Sequence, residues 1–265
     1  MAKDRSSEAH TPNLITDRRK IAEKEAENAL KQFDQSMAEL QKCIKSGQFK
    51  LKPSLLLKLN RTALDGISSF AGNYRPAGVD ISGSNHIPLN AEEVPSAVED
   101  MCEYVNDQWD RQTAVHLAAY VLWRLNWIHP FVDGNGRTAR AISYLVLCAK
   151  LKTRLPGKNT IPEQISENKK PYYEALESAD QYQKNKVIDV SALESMLKAQ
   201  LAKQLIAVHE SATGSKLTVD VVMAIEEAGP TNKKGNVVRW IEAHPVVVGT
   251  VVTVALALLG IMLSG

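Results

Sequence analysis

The sequence predicts a mostly α-helical protein with one small hairpin and a final apolar segment. Apolar residues recur at three- and four-residue steps through most of the 265-residue chain, and only residues 79–81 alternate in the manner of a strand. With 44% hydrophobic and 23% charged residues, the composition excludes disordered, collagen-like and disulfide-stapled small proteins. A net charge of +2 gives no reason to expect nucleic acid as a partner.

The first helix is predicted inside a polar N-terminal region, residues 1–50. Its apolar face consists of Leu30, Phe33, Met37, Leu40 and Ile44, and Gly47 ends it. We expect this face to pack on the main domain, and a second chain or an inhibitory protein are the alternative partners. The leader before it has no apolar stretch, so the sequence gives no secretory signal.

The central region, residues 51–209, is predicted to form one helical domain. The helices expected after the first cover residues 51–64, a segment that begins near Pro95, about 113–127, 138–151, 172–180 and 190–208. Glycines and prolines crowd residues 74–88, which predicts a loop with a small hairpin. The helices over 113–127 and 138–151 are apolar on nearly every side, as expected of helices buried in a core.

The stretch between these two apolar helices, HPFVDGNGRTAR at residues 129–140, can bind phosphate. Gly134 and Gly136 allow backbone N–H groups to turn inward at the start of the following helix, which predicts an anion site. Arg137 and Arg140 lie three residues apart on the first turns of that helix. They suit the successive phosphates of a polyphosphate.

Two further side chains of this stretch can supply a metal ligand and a base. Asp133 offers a hard oxygen ligand beside the phosphate site, which is how proteins commonly hold Mg²⁺ with a nucleotide. His129 titrates near neutrality and can take a proton from an incoming hydroxyl. Each residue alone has an ordinary structural explanation, but their concentration in twelve consecutive residues makes a chance arrangement improbable.

This stretch resembles the signature of the Fic family, HPFx(D/E)GNGRxxR, at every specified position. Outside it, FAGNYR at residues 70–75 is similar to the family's AGxxR segment, and VDISGSNHIP at 79–88 looks like its target-binding flap. PYYEALESAD at 171–180 is similar to the segment that lines the adenine and ribose pocket. The resemblance covers roughly residues 51–205. It implies an all-α domain with a small β-hairpin flap, and an enzyme that transfers AMP from ATP to a protein hydroxyl.

The resemblance also implies roles for single residues. His129 would deprotonate a Tyr, Ser or Thr of the target protein, and Asp133 would hold Mg²⁺ or Mn²⁺. Asn135 would bind the α-phosphate, Arg137 the β-phosphate and Arg140 the γ-phosphate. The nucleotide-binding set implied is Gly83, Ser84, Asn85, His86, Asp133, Gly134, Asn135, Gly136, Arg137, Thr138, Ala139, Arg140, Tyr172, Tyr173 and Asp180.

Regulation and the transferred group leave alternatives open. Many Fic enzymes are restrained by a helix with the pattern (S/T)xxxE(G/N), and RTALDG at residues 61–66 is the nearest segment, which makes Asp65 a candidate inhibitory residue. A separate inhibitory protein or membrane assembly would also serve. The alternatives to AMP are the transfer of UMP, phosphate or phosphocholine on the same fold, and a membrane-tethered nucleotide-binding scaffold without turnover.

The C-terminal segment, residues 246–263, carries no charge and is predicted to cross a membrane. At about 1.5 Å per residue a helix of this length reaches roughly 27 Å, close to the thickness of a bilayer's hydrocarbon core. A buried core helix or strand is the alternative. Residues 210–245 would be a linker or short helices. The cations that precede the apolar segment, Lys233, Lys234 and Arg239, predict that the catalytic domain lies in the cytoplasm.

Two smaller patterns bear on assembly and compartment. Gly249, Thr253, Ala257 and Gly260 fall on one side of the predicted membrane helix, which would allow a homodimer. The cysteines, Cys43, Cys102 and Cys148, are odd in number and far apart. We expect reduced structural thiols rather than disulfides or a metal site.

Overall fold

The computed structural model describes residues 13–157 and 159–213, and this part of the chain is helical. Its helices are α1 (Arg18–Ser46), α2 (Pro53–Ala63), α3 (Val94–Asp107), α4 (Ala114–Ile128), α5 (Asn135–Lys150), α6 (Ile161–Glu167), α7 (Lys170–Gln183) and α8 (Ser191–Thr213). A short 3₁₀ turn, Ala91–Glu93, leads into α3. The described residues contain no strand, and their one β-type pairing is a bridge between Asn13 and Ser68.

The centre of the fold is the pair α4 and α5, as the two apolar segments predict. Thr113 caps α4 because its hydroxyl accepts a hydrogen bond from the backbone N–H of His116 at 3.1 Å. Most side chains of both helices are buried, Trp123 and Leu145 completely. The connection of residues 129–134 is so short that the helices must lie side by side, so both helices position its side chains.

The interface of α1 differs in part from the predicted apolar face. Met37 and Leu40 are buried as predicted, whereas Leu30 is 71% exposed and Ile44 is 42% exposed. The helix itself is confirmed, and Gly47 ends it in the left-handed conformation with a φ of 68°.

Buried amide side chains replace the missing apolar contacts of α1. Asn28 Nδ2 donates to the carbonyl of Asp65 at 2.8 Å, and Gln32 Nε2 donates to the carbonyl of Leu59 at 3.0 Å. These bonds satisfy backbone acceptors at and near the C-terminal end of α2. An apolar periodicity cannot find such a face, because it counts amides as exposed.

The C-terminal part of the domain contains one helix that the sequence predicts, α8, and one that it does not, α6. The apolar stripe of α8 is buried as predicted through Leu193, Leu197, Leu201 and Leu205. Helix α6 was not predicted, although its signal is present. Thr160 and Glu163 form a capping box, in which each side chain bonds the other residue's backbone.

The predicted β-hairpin over residues 79–88 is wrong, because this segment is an irregular loop. The backbone N–H of Ser84 donates to the carbonyl of Ile81 at 3.1 Å, which makes a turn. The carbonyls of Ala77 and Leu89 accept from the Arg75 side chain instead of pairing across strands. Three alternating residues offer too few cross-strand pairs to stabilise an isolated hairpin.

The predicted linker and membrane helix lie outside the described residues, apart from residues 210–213 at the end of α8. Among residues 13–157 and 159–213, no helix is both long enough and apolar enough to cross a membrane. The small-residue face for a homodimer also falls outside them. Cys43, Cys102 and Cys148 are free thiols in the structure, and Cys102 and Cys148 are buried.

Candidate active site

His129 lies directly after α4 in a strained backbone conformation. Its φ of 51° and ψ of 58° place it in the left-handed region, which non-glycine residues seldom adopt. Its Nδ1 lies 3.2 Å from the carbonyl oxygen of Asn126, so Nδ1–H donates there and Nε2 remains as an acceptor. Burial lowers the pKa of His129, which favours the neutral imidazole that a general base requires.

The loop after His129 is closed by the Asn135 side chain. Asn135 Oδ1 accepts from the backbone N–H of Phe131 at 2.9 Å, and Asn135 Nδ2 donates to the Phe131 carbonyl at 2.8 Å. The buried amide therefore shapes the loop. One of the two N–H groups of Nδ2 is used in the bond to the Phe131 carbonyl, so the implied contact of Asn135 with an α-phosphate stays a prediction.

Gly134 forms the turn into α5, and both its backbone conformation and its surroundings require a residue without a side chain. Its φ of 77° is left-handed, and a Cβ atom would lie 2.9 Å from Asn60 Nδ2. Asn60, which is fully buried in α2, donates to the Asp133 carbonyl at 3.0 Å. The start of α5 thereby keeps its first N–H groups at the loop, as the predicted anion site needs.

An ion-pair chain runs from the loop to α1. Asp133 Oδ2 accepts from Arg137 Nη2 at 3.0 Å, and the Asp133 side chain is 58% exposed. Arg137 Nη1 lies 2.9 Å from Glu25 Oε1 in α1. Glu25 was not predicted, and no motif in the sequence pointed to it. In the part of the chain that the structure describes, Asp65 forms no ion pair with Arg137 or Arg140.

Arg140 lies beneath the loop, where burial lowers its pKa. Its Nη1 lies 3.3 Å from where a Cβ at Gly136 would be, so the guanidinium lies against that glycine. Tyr172 is buried nearby, and its hydroxyl accepts a hydrogen bond from Asn126 Nδ2 at 2.7 Å. Tyr172 therefore packs inside the protein beside the site, and its implied contact with a nucleotide stays a prediction.

Two other residues implied for nucleotide binding are buried, and their contact with a nucleotide stays a prediction. The side chains of Thr138 and Ala139 are completely buried on α5. Thr138 Oγ1 accepts from Asn60 Nδ2 at 3.4 Å. The backbone N–H of Thr138 donates to the Gly134 carbonyl at 2.9 Å, so the N–H groups without a helical partner are those before Thr138.

A cleft of about 540 Å³ lies between the predicted flap and α7. It is lined by Ser84, Asn85, His86, Ile87, Trp127, Glu177, Asp180, Gln181, Gln183 and Lys184. His86 Nε2 lies 2.7 Å from the Trp127 carbonyl, and Asp180 Oδ1 accepts from Trp123 Nε1 at 2.8 Å. The structure thus brings together the predicted residues 84–86 and Asp180. Gly83 and Tyr173 are exposed and do not line the cleft.

Comparison with known proteins identifies this helical region. Residues 50–147 match the model of the Fic/DOC family. The matched residues contain α2 to α4, the loop 129–134 and most of α5, so the stretch that is similar to the family includes the central loop of the candidate site.

Two proteins similar to part of this chain are protein adenylyltransferases by name. Protein adenylyltransferase Fic of Drosophila persimilis is 30% identical over 94 residues, which are 35% of this chain and 18% of that protein. Protein adenylyltransferase fic-1 of Caenorhabditis elegans gives the same identity, length and shares. The chain therefore spans less than a fifth of the length of these relatives.

The fold also matches solved structures of Fic proteins. A Fic family protein from Desulfovibrio desulfuricans G20 superposes with a TM-score of 0.56 at 19% identity, over 94% of this chain and 65% of that one. This similarity confirms a mostly helical Fic-like fold.

The loop of residues 129–134 offers the exposed carboxylate of Asp133 for a metal. Among the described residues, no group of three or more His, Cys, Asp or Glu side chains could enclose a metal ion. Asp133 beside Arg137 is therefore suited to an ion that takes its other ligands from phosphate oxygens and water. Mg²⁺ typically binds in this way with nucleotides.

Proposed function

We propose that the Fic domain is a protein adenylyltransferase, which transfers AMP from ATP to a Tyr, Ser or Thr hydroxyl of a target protein and releases pyrophosphate. The observation that carries this proposal is the arrangement of His129 at the start of the loop. Its Nδ1 is engaged by the Asn126 carbonyl and its buried ring favours the neutral form, so Nε2 is available as a base. Arg137 and the start of α5 follow within eight residues.

The reaction follows from these positions. The acceptor hydroxyl gives its proton to Nε2 of His129, and its oxygen forms a bond to the α-phosphorus of ATP. The bond from the α-phosphorus to the bridging oxygen breaks, and its electron pair leaves with pyrophosphate. Arg137, Arg140 and the N–H groups at the start of α5 stabilise the negative charge, which is the main protein contribution in such transfers.

Asp133 is the residue that would hold Mg²⁺ or Mn²⁺. Its half-exposed carboxylate fits the role because the ion can reach it from the side that a nucleotide would occupy. When bound, the metal supplies charge neutralisation on the phosphates. Arg137 shares the same carboxylate, and we propose that it turns to the phosphates when the nucleotide enters.

The cleft between residues 84–87 and α7 supports nucleoside binding. Trp127 gives it an aromatic wall, and Asp180 and Glu177 give it carboxylates that can accept hydrogen bonds from ribose hydroxyls. Ile87 is among the most exposed apolar side chains of the described residues and borders the same cleft, where a target protein would arrive.

The test is incubation of the full chain with acceptor proteins and ATP labelled either at the α- or at the γ-phosphate. AMP transfer labels protein with the α-labelled nucleotide only. Label from γ-labelled ATP would instead indicate phosphate transfer, and label from UTP or a choline donor would indicate the other branches. A chain that binds ATP but labels nothing would be a nucleotide-binding scaffold.

The matched variant is His129→Ala. We expect AMP transfer to fall by at least about 100-fold, the low end of general-base catalysis. ATP affinity, measured by calorimetry, should remain within a few fold because the imidazole acts on the acceptor. Retained transfer in this variant would contradict the role of His129 as the base.

We also propose that residues 246–263 attach the enzyme to a membrane with the Fic domain on the cytoplasmic side. The uncharged segment and the cations before it support this orientation. The partners proposed are a protein substrate, the membrane, an inhibitory protein and a second copy of the chain through Gly249 and Gly260.

A further inference from the structure

Arg75 is a buried cation without an acidic partner. Arg75 is 2% exposed, and it forms no ion pair with any other residue that the structure describes. Burial lowers its pKa, yet a guanidinium stays charged under all ordinary conditions. A buried charge persists in a protein only where hydrogen bonds replace its water, so its acceptors show what it stabilises.

All the acceptors of the Arg75 side chain are backbone carbonyls. Nε donates to the carbonyl of His129 at 2.8 Å, and Nη1 donates to the carbonyl of Ala77 at 2.9 Å. Nη2 donates to the carbonyl of Leu89. The backbone N–H of Arg75 adds a bond to the Pro130 carbonyl at 2.9 Å.

These acceptors belong to two parts of the active site. Ala77 and Leu89 are the two ends of one loop, which we call the flap loop (residues 77–89). It holds the His86 that contacts the Trp127 carbonyl, and several of its residues line the cleft. The remaining acceptor belongs to His129 itself. One planar side chain therefore joins both ends of the flap loop to the residue proposed as the base.

The bond to His129 falls where the backbone needs support. His129 is in the left-handed region, and its carbonyl points to Arg75 only in that conformation or one close to it. A relaxed φ would rotate the following peptide away and would also move the imidazole off the Asn126 carbonyl. Such strain is retained where neighbouring contacts determine the geometry.

We infer that Arg75 is a positioning residue that couples the flap loop to His129, so that the loop's closed arrangement and the base's productive orientation are held together. The inference rests on the proposed function of His129. Loss of the Arg75 guanidinium should therefore slow the chemical step. Phosphate binding by the loop before α5 should remain nearly unchanged.

The first experiment compares Arg75→Lys with Arg154→Lys in the full chain. Lysine keeps the positive charge but has one nitrogen, which cannot meet three separate carbonyls in the plane of a guanidinium. We expect kcat for AMP transfer to fall about 100-fold, the size of effect that a small misplacement of a catalytic group produces. KM for ATP should change less than about threefold. Arg154, which lies over the Phe33 ring away from the site, is the control.

The outcomes of this comparison are distinct. A kcat for Arg75→Lys equal to that of Arg154→Lys would overturn the inference. A proportionate rise in KM for ATP with unchanged kcat would also overturn it, because that would place Arg75 in nucleotide binding. If the unmodified chain transfers no AMP at all, the proposed function has failed, and the next measurement still tests the coupling.

The second experiment measures the pKa of His129 by NMR and needs no activity. The charged and titratable groups that act on this imidazole are Arg75, His86 and Asp133, and Arg75 lowers its pKa. Arg75→Gln removes the positive charge and should raise the His129 pKa, whereas Arg75→Lys should leave it nearly unchanged. An unchanged pKa in Arg75→Gln would overturn the assigned contact between these residues, since a residue with only a remote structural role would not shift it.

A measurement on the unmodified chain covers the case in which neither Arg75 variant folds. Amide hydrogen exchange in a series of low urea concentrations gives the free energy of local opening at each N–H. The amides of Arg75 and Phe131 should open together, with the same free energy and the same urea dependence, as should Ser84 in the flap loop. Opening of Ser84 at a clearly lower free energy than the other two would show that the parts are independent.

Discussion

His129 depends on its backbone torsion as much as on its chemistry. The left-handed φ ends α4 and directs the ring so that Nδ1 meets the Asn126 carbonyl. Asn135 has a structural role besides the implied phosphate contact, since its amide closes the loop through both Oδ1 and Nδ2. At the scale of single residues, the motif combines groups that would react with groups that hold them in position.

The pH dependence of transfer is a prediction at this scale. Burial is the main cause that lowers the His129 pKa, and only the neutral ring can accept a proton. The acid limb of kcat/KM should therefore lie below the ordinary imidazole value of about 6.5. A pH–rate profile of AMP transfer by the full chain measures it. An acid limb with an apparent pKa at or above that value would show that burial does not determine the pKa of His129.

The residues of the motif could be identified from the sequence, but their division into reactive and supporting roles could not. Thr138 and Asn135 stand between catalytic neighbours in the sequence, and both are buried and bonded inside the protein. Asn60 lies 73 residues before Asp133, whose carbonyl it holds, and it has no signature of its own. Side-chain direction depends on packing, which a linear pattern does not contain.

At the scale of elements, α1 contributes a contact that affects Arg137. Glu25 and Asp133 both engage its guanidinium, so the cation expected to bind a phosphate is already paired. The two carboxylates compete with an incoming nucleotide for the same donor group. The helix that the sequence predicted as a packing element is thus also an electrostatic element of the site.

Glu25→Ala should increase kcat/KM for ATP, because Arg137 loses its ion pair with Glu25 and becomes available to a phosphate. An ion pair at a partly exposed position is worth up to about 1 kcal/mol, so we expect kcat/KM for ATP to rise by up to about fivefold. Steady-state kinetics with labelled ATP measure it. Glu23→Ala is the matched control, because Glu23 pairs with Arg19 on the same helix.

The contact would be shown to be incidental if Glu25→Ala and Glu23→Ala gave equal kinetics. Asp65→Ala serves as a further comparison. The structure gives Asp65 no ion pair with either motif arginine among the described residues, so we expect this substitution to leave kcat/KM unchanged. An increase there would restore Asp65 as the inhibitory residue.

Helices with strong periodicity were predictable as elements, and short or polar ones were not. The segments that became α4, α5 and α8 are long and apolar, so local pattern and burial agree. Helix α6 is seven residues long and depends on its capping box. The hairpin prediction failed because the carbonyls at both ends of the flap loop, Ala77 and Leu89, accept from the Arg75 side chain, and a strand pattern does not show such side-chain bonds.

At the scale of the whole molecule, the helical domain and the uncharged C-terminal segment lead to separate predictions. If residues 246–263 span a membrane, the full chain expressed in cells should sediment with membranes and resist carbonate extraction. A chain ending at residue 244 should be released, because tethering needs the apolar segment. Recovery of the full chain in the supernatant would contradict the anchor.

The sequence by itself determined the chemistry that is available. The order HPFVDGNGRTAR places a base, a carboxylate, two glycines and two arginines within one turn and the start of one helix. Local order alone is enough to predict such a site, because the groups are brought together by their spacing.

Only the tertiary structure decided which groups are free to act. The Asn135 amide is used to close the loop, Tyr172 is buried, Arg137 is paired with Glu25, and Arg75 holds the flap loop to His129. Each of these contacts, except the loop closure, joins residues more than thirty positions apart. Their hydrogen bonds and burial depend on how the helices pack, and the physical reason is that desolvation and partner geometry are properties of the folded chain.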